Sequence, residues 1–313
     1  MDLYFLGTGA GMPSKQRNVT SIALSYVDER GGFWLFDCGE ATQHRIMHSP
    51  LRLSKLEKLF VTHLHGDHIY GIPGLLASRS YHGGETPLAI YGPKGIKHWI
   101  EITLKLSQSR LNYPLEIVEI EEGIVLEDDH FSVETARLEH RVDSYGYRVK
   151  EKEKPGRLLI EKLRNLGIPS GPLYGKLKQG LDVDLEDGRK LAAGEFLGLS
   201  TPGRTVAILG DTRVCEASLK LAENADVLVH ESTFASKLHD LAFKYHHSTA
   251  KDAAMTAKKA AVQTLIMTHI SSRYQGEEEE ELLNEAKSIF PNTFLARDFW
   301  SYAVPSKKAK QNK

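Results

Sequence analysis

Directly after the apolar run KLFVT (residues 58–62) the chain reads His63-Leu64-His65-Gly66-Asp67-His68, and no other feature constrains its fold as strongly. Imidazoles and a carboxylate crowded together without a thiolate suit zinc or a similar divalent ion. A buried strand aims its last side chains at such a site, and Gly66 permits a tight turn, so His63, His65, Asp67 and His68 can converge from different sides. A solvated histidine-rich loop is the alternative, but this pattern at the end of a buried strand has little structural use. Three more candidate ligands close other apolar runs: His140 in RLEHRV, Asp211 in AILGDT and His269 in LIMTHIS. Spacings of roughly 60 to 70 residues argue against a structural zinc site, whose ligands cluster in short loops. They fit a catalytic site gathered at one rim of a sheet sandwich.

The rhythm around these motifs is strands first, then alternating strands and helices. Leu3 to Leu6, Thr20 to Ser25, Trp34 to Asp37 and Lys58 to Thr62 are short apolar or β-branched runs, and Thr205 to Leu209, Val227 to Val229 and Thr264 to Thr268 repeat the scheme. Glu216 to Glu223, Thr249 to Ala261 and Glu277 to Ile289 carry Ala, Leu, Lys and Glu at helical spacing. No repeat of 20 to 50 residues is present. The expectation is one α/β domain over 1–313, two sheets flanked by helices, with an insertion. From Lys150 to Gly180 the rhythm breaks into a Pro- and Gly-rich stretch with eight Lys or Arg against three Glu, a local charge of +5. The remaining residues must then carry −6 to give the total of −1. We expect an inserted arm over 150–195 and a basic, disordered tail over 305–313.

With 40 Lys and Arg against 41 Asp and Glu, the molecule as a whole does not attract nucleic acid, so any polyanion site must be local. No apolar stretch is long enough to span a bilayer and no leader pattern opens the chain, which reads as soluble and cytoplasmic with no membrane partner. Cys38 and Cys215 are too few for a disulfide framework and read as buried packing residues. The glycines of GTGAG lack dinucleotide-loop spacing and are followed by Pro13, so no nucleotide cofactor is expected.

The motif THLHGDH together with His140, Asp211 and His269 resembles the metallo-β-lactamase superfamily, and more narrowly the ribonuclease Z (tRNase Z) family. The likeness runs from FLGTGAGMPSKQRN through FDCGEATQ, HESTF and HHSTA to LARDF. It implies an αββα sandwich and two Zn2+ ions per subunit. His63, His65 and His140 would hold one, Asp67, His68 and His269 the other, and Asp211 would bridge them. It also implies a homodimeric endoribonuclease that removes the 3′ trailer of precursor tRNA by metal-activated hydroxide attack, leaving a 3′-hydroxyl. Two metals can clamp a phosphodiester oxygen, generate hydroxide near neutral pH and stabilise the leaving oxygen. Asp67 is expected to orient the nucleophile and take its proton.

Several further residues acquire expectations. His247 precedes Ser248 and Thr249, a capping pair opening a helix whose exposed N–H groups would make a phosphate pocket beside it. The resemblance carries the family's HST histidine onto His247, where it assists phosphate binding or protonates the leaving oxygen. Lys15 and Arg17, in a loop matching the family's PxKxRN, are expected to pair with phosphates. Asp37 of FDCGE is expected either to accept from a ligating imidazole or to hold a turn. Gly171 and Pro172 match the GP motif of the family's flexible tRNA-docking arm, and the arm's charge suits RNA binding that ignores sequence. The competing readings are a small-molecule phosphodiesterase or thioester and lactam hydrolase, against which the basic arm argues, and a catalytically dead RNA-binding subunit, against which the complete ligand set argues.

Overall fold

The apolar runs form two sheets, and a computed structural model describes them over residues 1–26, 31–185 and 187–307. In the first sheet the strand order is Ser301–Ala303, Asp2–Gly7, Ser21–Ser25, Phe33–Phe36, Leu56–Phe60, Leu88–Gly92 and Leu115–Glu119. In the second it is Thr293–Leu295, Thr264–Thr268, Val227–Glu231, Thr205–Ile208, Ser144–Glu151, Phe131–Leu138 and Gly123–Glu127. Strands Phe33–Phe36 through Leu115–Glu119 run parallel, as do Thr205–Ile208, Val227–Glu231, Thr264–Thr268 and Thr293–Leu295.

Parallel strands need crossover connections, which place helices on the outer sheet faces and leave the strands buried on both sides. That is why the inner strands Phe33–Phe36, Thr205–Ile208 and Thr264–Thr268 are buried along their whole length and read as apolar or β-branched runs, whereas the edge strand Leu115–Glu119 does not. Leu35, Leu59 and Ile90 face the helices Ile72–Tyr81 and Ile96–Leu106 in one outer core. Ala207, Leu228, Leu265 and Met267 face the helices Glu216–Ala222, Ala250–Lys259 and Glu277–Lys287 in the other. Between the sheets lie aromatic rings: Phe60 stacks on Phe36 and Tyr91 with centroids 5.1 and 5.0 Å away, and Tyr147 crosses from the second sheet to reach Phe60 at 5.2 Å. The layers are thus helix, sheet, sheet, helix, the metallo-β-lactamase sandwich. Among the described residues no helix is long and apolar enough to cross a membrane. Cys38 is buried, and its desolvation pushes the thiol up to about 12. Cys215 is only partly buried and stands at a helix start, where its backbone N–H pairs with Ser218.

The chain divides into two compact units, the larger comprising Met1–Glu127, Ser132–Val149 and Thr205–Val304. The smaller contains Asp128–Phe131 and Lys150–Arg204, so the segment expected at 150–195 lies inside it and its end falls further along the chain. This unit has its own core of Leu163, Ile168, Leu177, Val183, Leu191, Ala193 and Phe196. Helices Ile160–Asn165 and Pro172–Lys178 and the antiparallel pair Val183–Asp184 and Lys190–Leu191 surround that core. Its two ends are clamped: the Glu151 N–H donates to the Arg204 carbonyl over 2.8 Å, and Arg204 Nε donates to the Glu151 carboxylate over 2.7 Å. Of the tail expected at 305–313, residues 308–313 lie outside the described residues.

Candidate metal centre and active site

The candidate ligands come together because the parallel strands end at one rim, where open α/β sheets place their ligands. His63 follows the strand Leu56–Phe60, Asp211 follows Thr205–Ile208, and His269 follows Thr264–Thr268. His65 is extended, two residues beyond His63, after which the short helix Gly66–Ile69 carries Asp67 and His68 to the same cluster. His269 has φ of 55° and Asp37 φ of 59°, left-handed conformations that side chains avoid unless the surroundings enforce them.

The donor atoms crowd together, and the outer nitrogens of His68, His140 and His269 are anchored. His63 Nε2 lies 3.0 Å from His65 Nδ1, which is 3.3 Å from His140 Nε2. Asp67 Oδ2 lies 3.4 Å from His68 Nε2 and 3.5 Å from His269 Nε2. Asp211 Oδ2 stands between the groups, 3.7 Å from His63 Nε2, 3.6 Å from His68 Nε2 and 3.3 Å from His269 Nε2. Ligands at 2.0–2.1 Å from a tetrahedral ion are separated from each other by about 3.3 Å, so both clusters have the spacing a metal requires. On the outer side His68 Nδ1 donates to Asp37 Oδ2 over 2.7 Å and His140 Nδ1 to the His246 carbonyl over 2.9 Å, while His269 Nδ1 contacts Thr233 Oγ1 at 2.9 Å. A proton on each outer nitrogen leaves the inner one as a lone pair, the arrangement usual for metal-binding histidines. His68 Nε2 and His269 Nε2 are buried with no hydrogen-bond partner, a costly state that a bound cation relieves.

Electrostatics agree for three of the imidazoles and differ for His68, where burial opposes the charge but the carboxylates of Asp211, Asp37 and Asp67 outweigh it and raise the ring well above the usual histidine range, a proton that a bound cation would displace. Burial, reinforced by neighbouring imidazoles, holds His63 well below the usual histidine range, and burial also lowers His65 and His140, so all three are neutral. Burial works against the charges of Asp67 and Asp211, but the surrounding histidines outweigh it and keep both carboxyls ionised. His247 behaves in the opposite way: burial opposes its charge, but the Glu231 carboxylate raises it to about 9. Its Nδ1 bonds Glu231 Oε1 over 2.8 Å, and Glu231 also accepts from the backbone N–H groups of Thr212 and Thr233. The ligand candidates His65, Asp67, His140, Asp211 and His269 and the nearby His247 line one cleft of about 270 Å³.

Comparison with known proteins agrees with this geometry. A family profile described as the anti-Pycsar protein Apyc1 matches residues 1–153. A ribonuclease Z from Geobacillus kaustophilus is 55% identical over 305 residues, covering 97% of this chain and 99% of that protein. The chain belongs to the ribonuclease Z family. Among solved structures, human tRNase Z, short form, superposes with a TM-score of 0.69 at 30% identity over 97% of this chain and all of that one. A Zn2+-bound PqqB from Methylobacterium extorquens shares the fold alone, with a TM-score of 0.61 at 13% identity over 97% of this chain and all of that one.

Within this chain the seven ligand candidates and His247 meet, while other expectations are corrected. Arg17 is buried rather than free for phosphate: its Nε donates to Glu279 Oε1 over 2.9 Å, and another guanidinium nitrogen donates to Thr8 Oγ1 and the Ala296 carbonyl over 2.6 and 2.7 Å. The same loop leaves Lys15 exposed, because Ser14 Oγ accepts from the N–H groups of Gln16 and Arg17 and turns the chain around it. The helix start after His247 is not an open phosphate pocket. The Ala250 N–H donates to the Phe234 carbonyl and the Asp252 N–H to Thr249 Oγ1, so Glu231, not free helix donors, fixes His247. Asp37 takes the first of its alternatives, and its side chain also accepts from the Thr62 N–H over 2.7 Å, tying it to the end of the next strand rather than to its own turn. Gly171 and Pro172 are exposed at the start of the helix Pro172–Lys178 in the smaller unit. Sequence reasoning gave no role to Glu231 or the His246 carbonyl. A glutamate ending the otherwise apolar run VLVHE was the available signal for the former, while a carbonyl leaves none.

Proposed function

We propose that this chain is a zinc-dependent endoribonuclease that hydrolyses the phosphodiester at the 3′ trailer of precursor tRNA and leaves a 3′-hydroxyl on the tRNA. The observation that carries this reading is the complete, metal-spaced ligand set in a chain so similar to a ribonuclease Z. His63, His65 and His140 would hold one zinc, Asp67, His68 and His269 the second, with Asp211 shared. When bound, the pair supplies Lewis acidity toward the phosphodiester and lowers the pKa of water toward ~7. Asp67, tied to the Gly11 N–H over 2.9 Å, orients the attacking water and takes its proton. His247 holds its proton against Glu231 and presents its other ring nitrogen to the substrate, where it protonates the departing 3′ oxygen. Lys15 and the arm with Gly171 and Pro172 contact the tRNA backbone. A cytoplasmic homodimer follows from the same reading, the arm of one subunit holding the tRNA elbow while the other cuts.

Incubating pure protein with labelled precursor tRNA and mapping the ends tests the activity, which requires a new 3′-hydroxyl at the trailer boundary. Sedimentation tests the dimer.

A further inference from the structure

One wall of the cleft carries cationic and aromatic side chains that the chemistry above leaves unused. Tyr245 and Arg141 line the cleft beside His140 and His247, and Tyr245 is 40% exposed. The Arg141 guanidinium stands 4.9 Å from the centre of the Tyr245 ring, and the Lys244 ammonium 5.9 Å. Among the described residues Arg141 has no carboxylate within ion-pair distance, and its one hydrogen bond is a long one of 3.4 Å to the Lys244 carbonyl. The neighbouring pair is different: Arg213 stands 4.2 Å over Phe243 but is already bound to Glu139 and His246.

The backbone fixes Tyr245 relative to the reaction centre. Helix His239–Tyr245 stops there because His246 adopts φ of 61°, and the His246 carbonyl that receives His140 Nδ1 belongs to the very next residue. The Tyr245 ring is thus exposed at the cleft with two cations as its ring contacts. Every nucleobase offers a π-face, so such a ring binds bases without reading sequence, and an unpaired guanidinium beside it can take the backbone phosphate.

We propose that Tyr245, backed by Arg141, is a stacking platform for the nucleobase adjoining the scissile phosphate, and positions the RNA strand there. This rests on the ribonuclease reading given above. The enzyme should therefore distinguish a base from no base far better than one base from another.

Precursor tRNAs abasic at the nucleotide immediately 5′ or immediately 3′ of the scissile phosphate test this directly. Wild-type kcat/KM should favour the intact substrate over one of the two by about tenfold or more. That preference should collapse to within about twofold in Tyr245→Ala and in Tyr245→Leu, which keeps bulk without a π-face, and should survive in Tyr245→Phe. With 2-aminopurine at the selected nucleotide, fluorescence should be quenched on mixing with wild type and Tyr245→Phe but not with Tyr245→Ala. No discrimination at either position, its retention in both the Ala and Leu variants, or its loss in Tyr245→Phe would overturn the platform. A wild type that cuts no precursor tRNA overturns the ribonuclease reading instead, and the quenching, which needs no cleavage, still decides the platform.

Discussion

Arg17 and Glu231 exchange the roles that residue type alone gives them. A basic residue in a substrate loop reads as a phosphate contact, but Arg17 ties the loop to Glu279 in the interior. Arg17→Ala would leave the buried Glu279 carboxylate with only the longer contact to Arg297 at 3.6 Å, so the loss should approach but not reach the ~3–5 kcal/mol of a fully broken buried pair. Thermal melts should show a clear drop in Tm, and an unchanged Tm with a raised KM for tRNA would return Arg17 to the substrate. Glu231 is buried with His247 on one of its oxygens. Glu231→Gln removes the charge that holds the His247 proton, so kcat should fall on the order of a hundredfold with metal content unchanged. Metal loss in that variant would make Glu231 a ligand instead. Asp67→Ala should cost several orders of magnitude in turnover and leave tRNA affinity nearly intact, and retention within about tenfold of wild type, ~1.4 kcal/mol, would refute its assignment.

At the level of elements, the metal motif is shaped by a turn from a different strand. The FDCG turn lies against the loop carrying His65 to His68: the Cys38 N–H donates to the His68 carbonyl over 2.8 Å, and the Gly71 N–H donates to the Cys38 carbonyl over 3.0 Å. A Cβ on Gly39 would fall 2.4 Å from the Asp67 carbonyl oxygen, a backbone atom that cannot move without carrying the ligands with it. Gly39→Ala should therefore weaken metal retention at least tenfold in a chelator competition while the far-ultraviolet spectrum stays native. Equal retention would show that the turn can yield.

For the molecule as a whole, the basic stretch and the candidate ligands lie in different units of the chain. The +5 of residues 150–180 is followed by −2 over residues 181–204, so the smaller unit's chain from Lys150 to Arg204 carries +3, concentrated in its first half. Excising only residues 155–180 would remove Leu163, Ile168 and Leu177 from its core and expose the remainder. The Glu151 and Arg204 clamp offers a better cut, because the chain ends already lie a hydrogen bond apart. Replacing residues 152–203 with a short Gly-Ser link should leave hydrolysis of a small chromogenic phosphodiester in place, since the ligand candidates all lie in the larger unit. Cleavage of precursor tRNA should fall at least a hundredfold, and added salt should mimic part of that loss in the intact enzyme. Undiminished tRNA cleavage would reduce the arm to a solvated insertion. Metal analysis of dialysed protein should give about two zinc ions per chain, and one or none with activity retained would end the two-metal mechanism.

The sequence by itself determined what local chemistry can encode. Apolar runs buried on both faces marked the central strands, alanine-rich periodicity marked the helix Ala250–Lys259, and the spacing of His63, His65, Asp67 and His68 marked the metal motif before any contact was known. The exposed and half-exposed strands Leu115–Glu119 and Gly123–Glu127 were not legible, because their burial depends on partners distant in the chain. Only the tertiary structure decided which side of a residue is used. It made Arg17 an internal tie, closed the helix start beside His247 from within, and brought Glu231 under that histidine. The reason is physical: a side chain's type fixes the interactions it can make, whereas burial and the neighbours supplied by other strands select the one it does make.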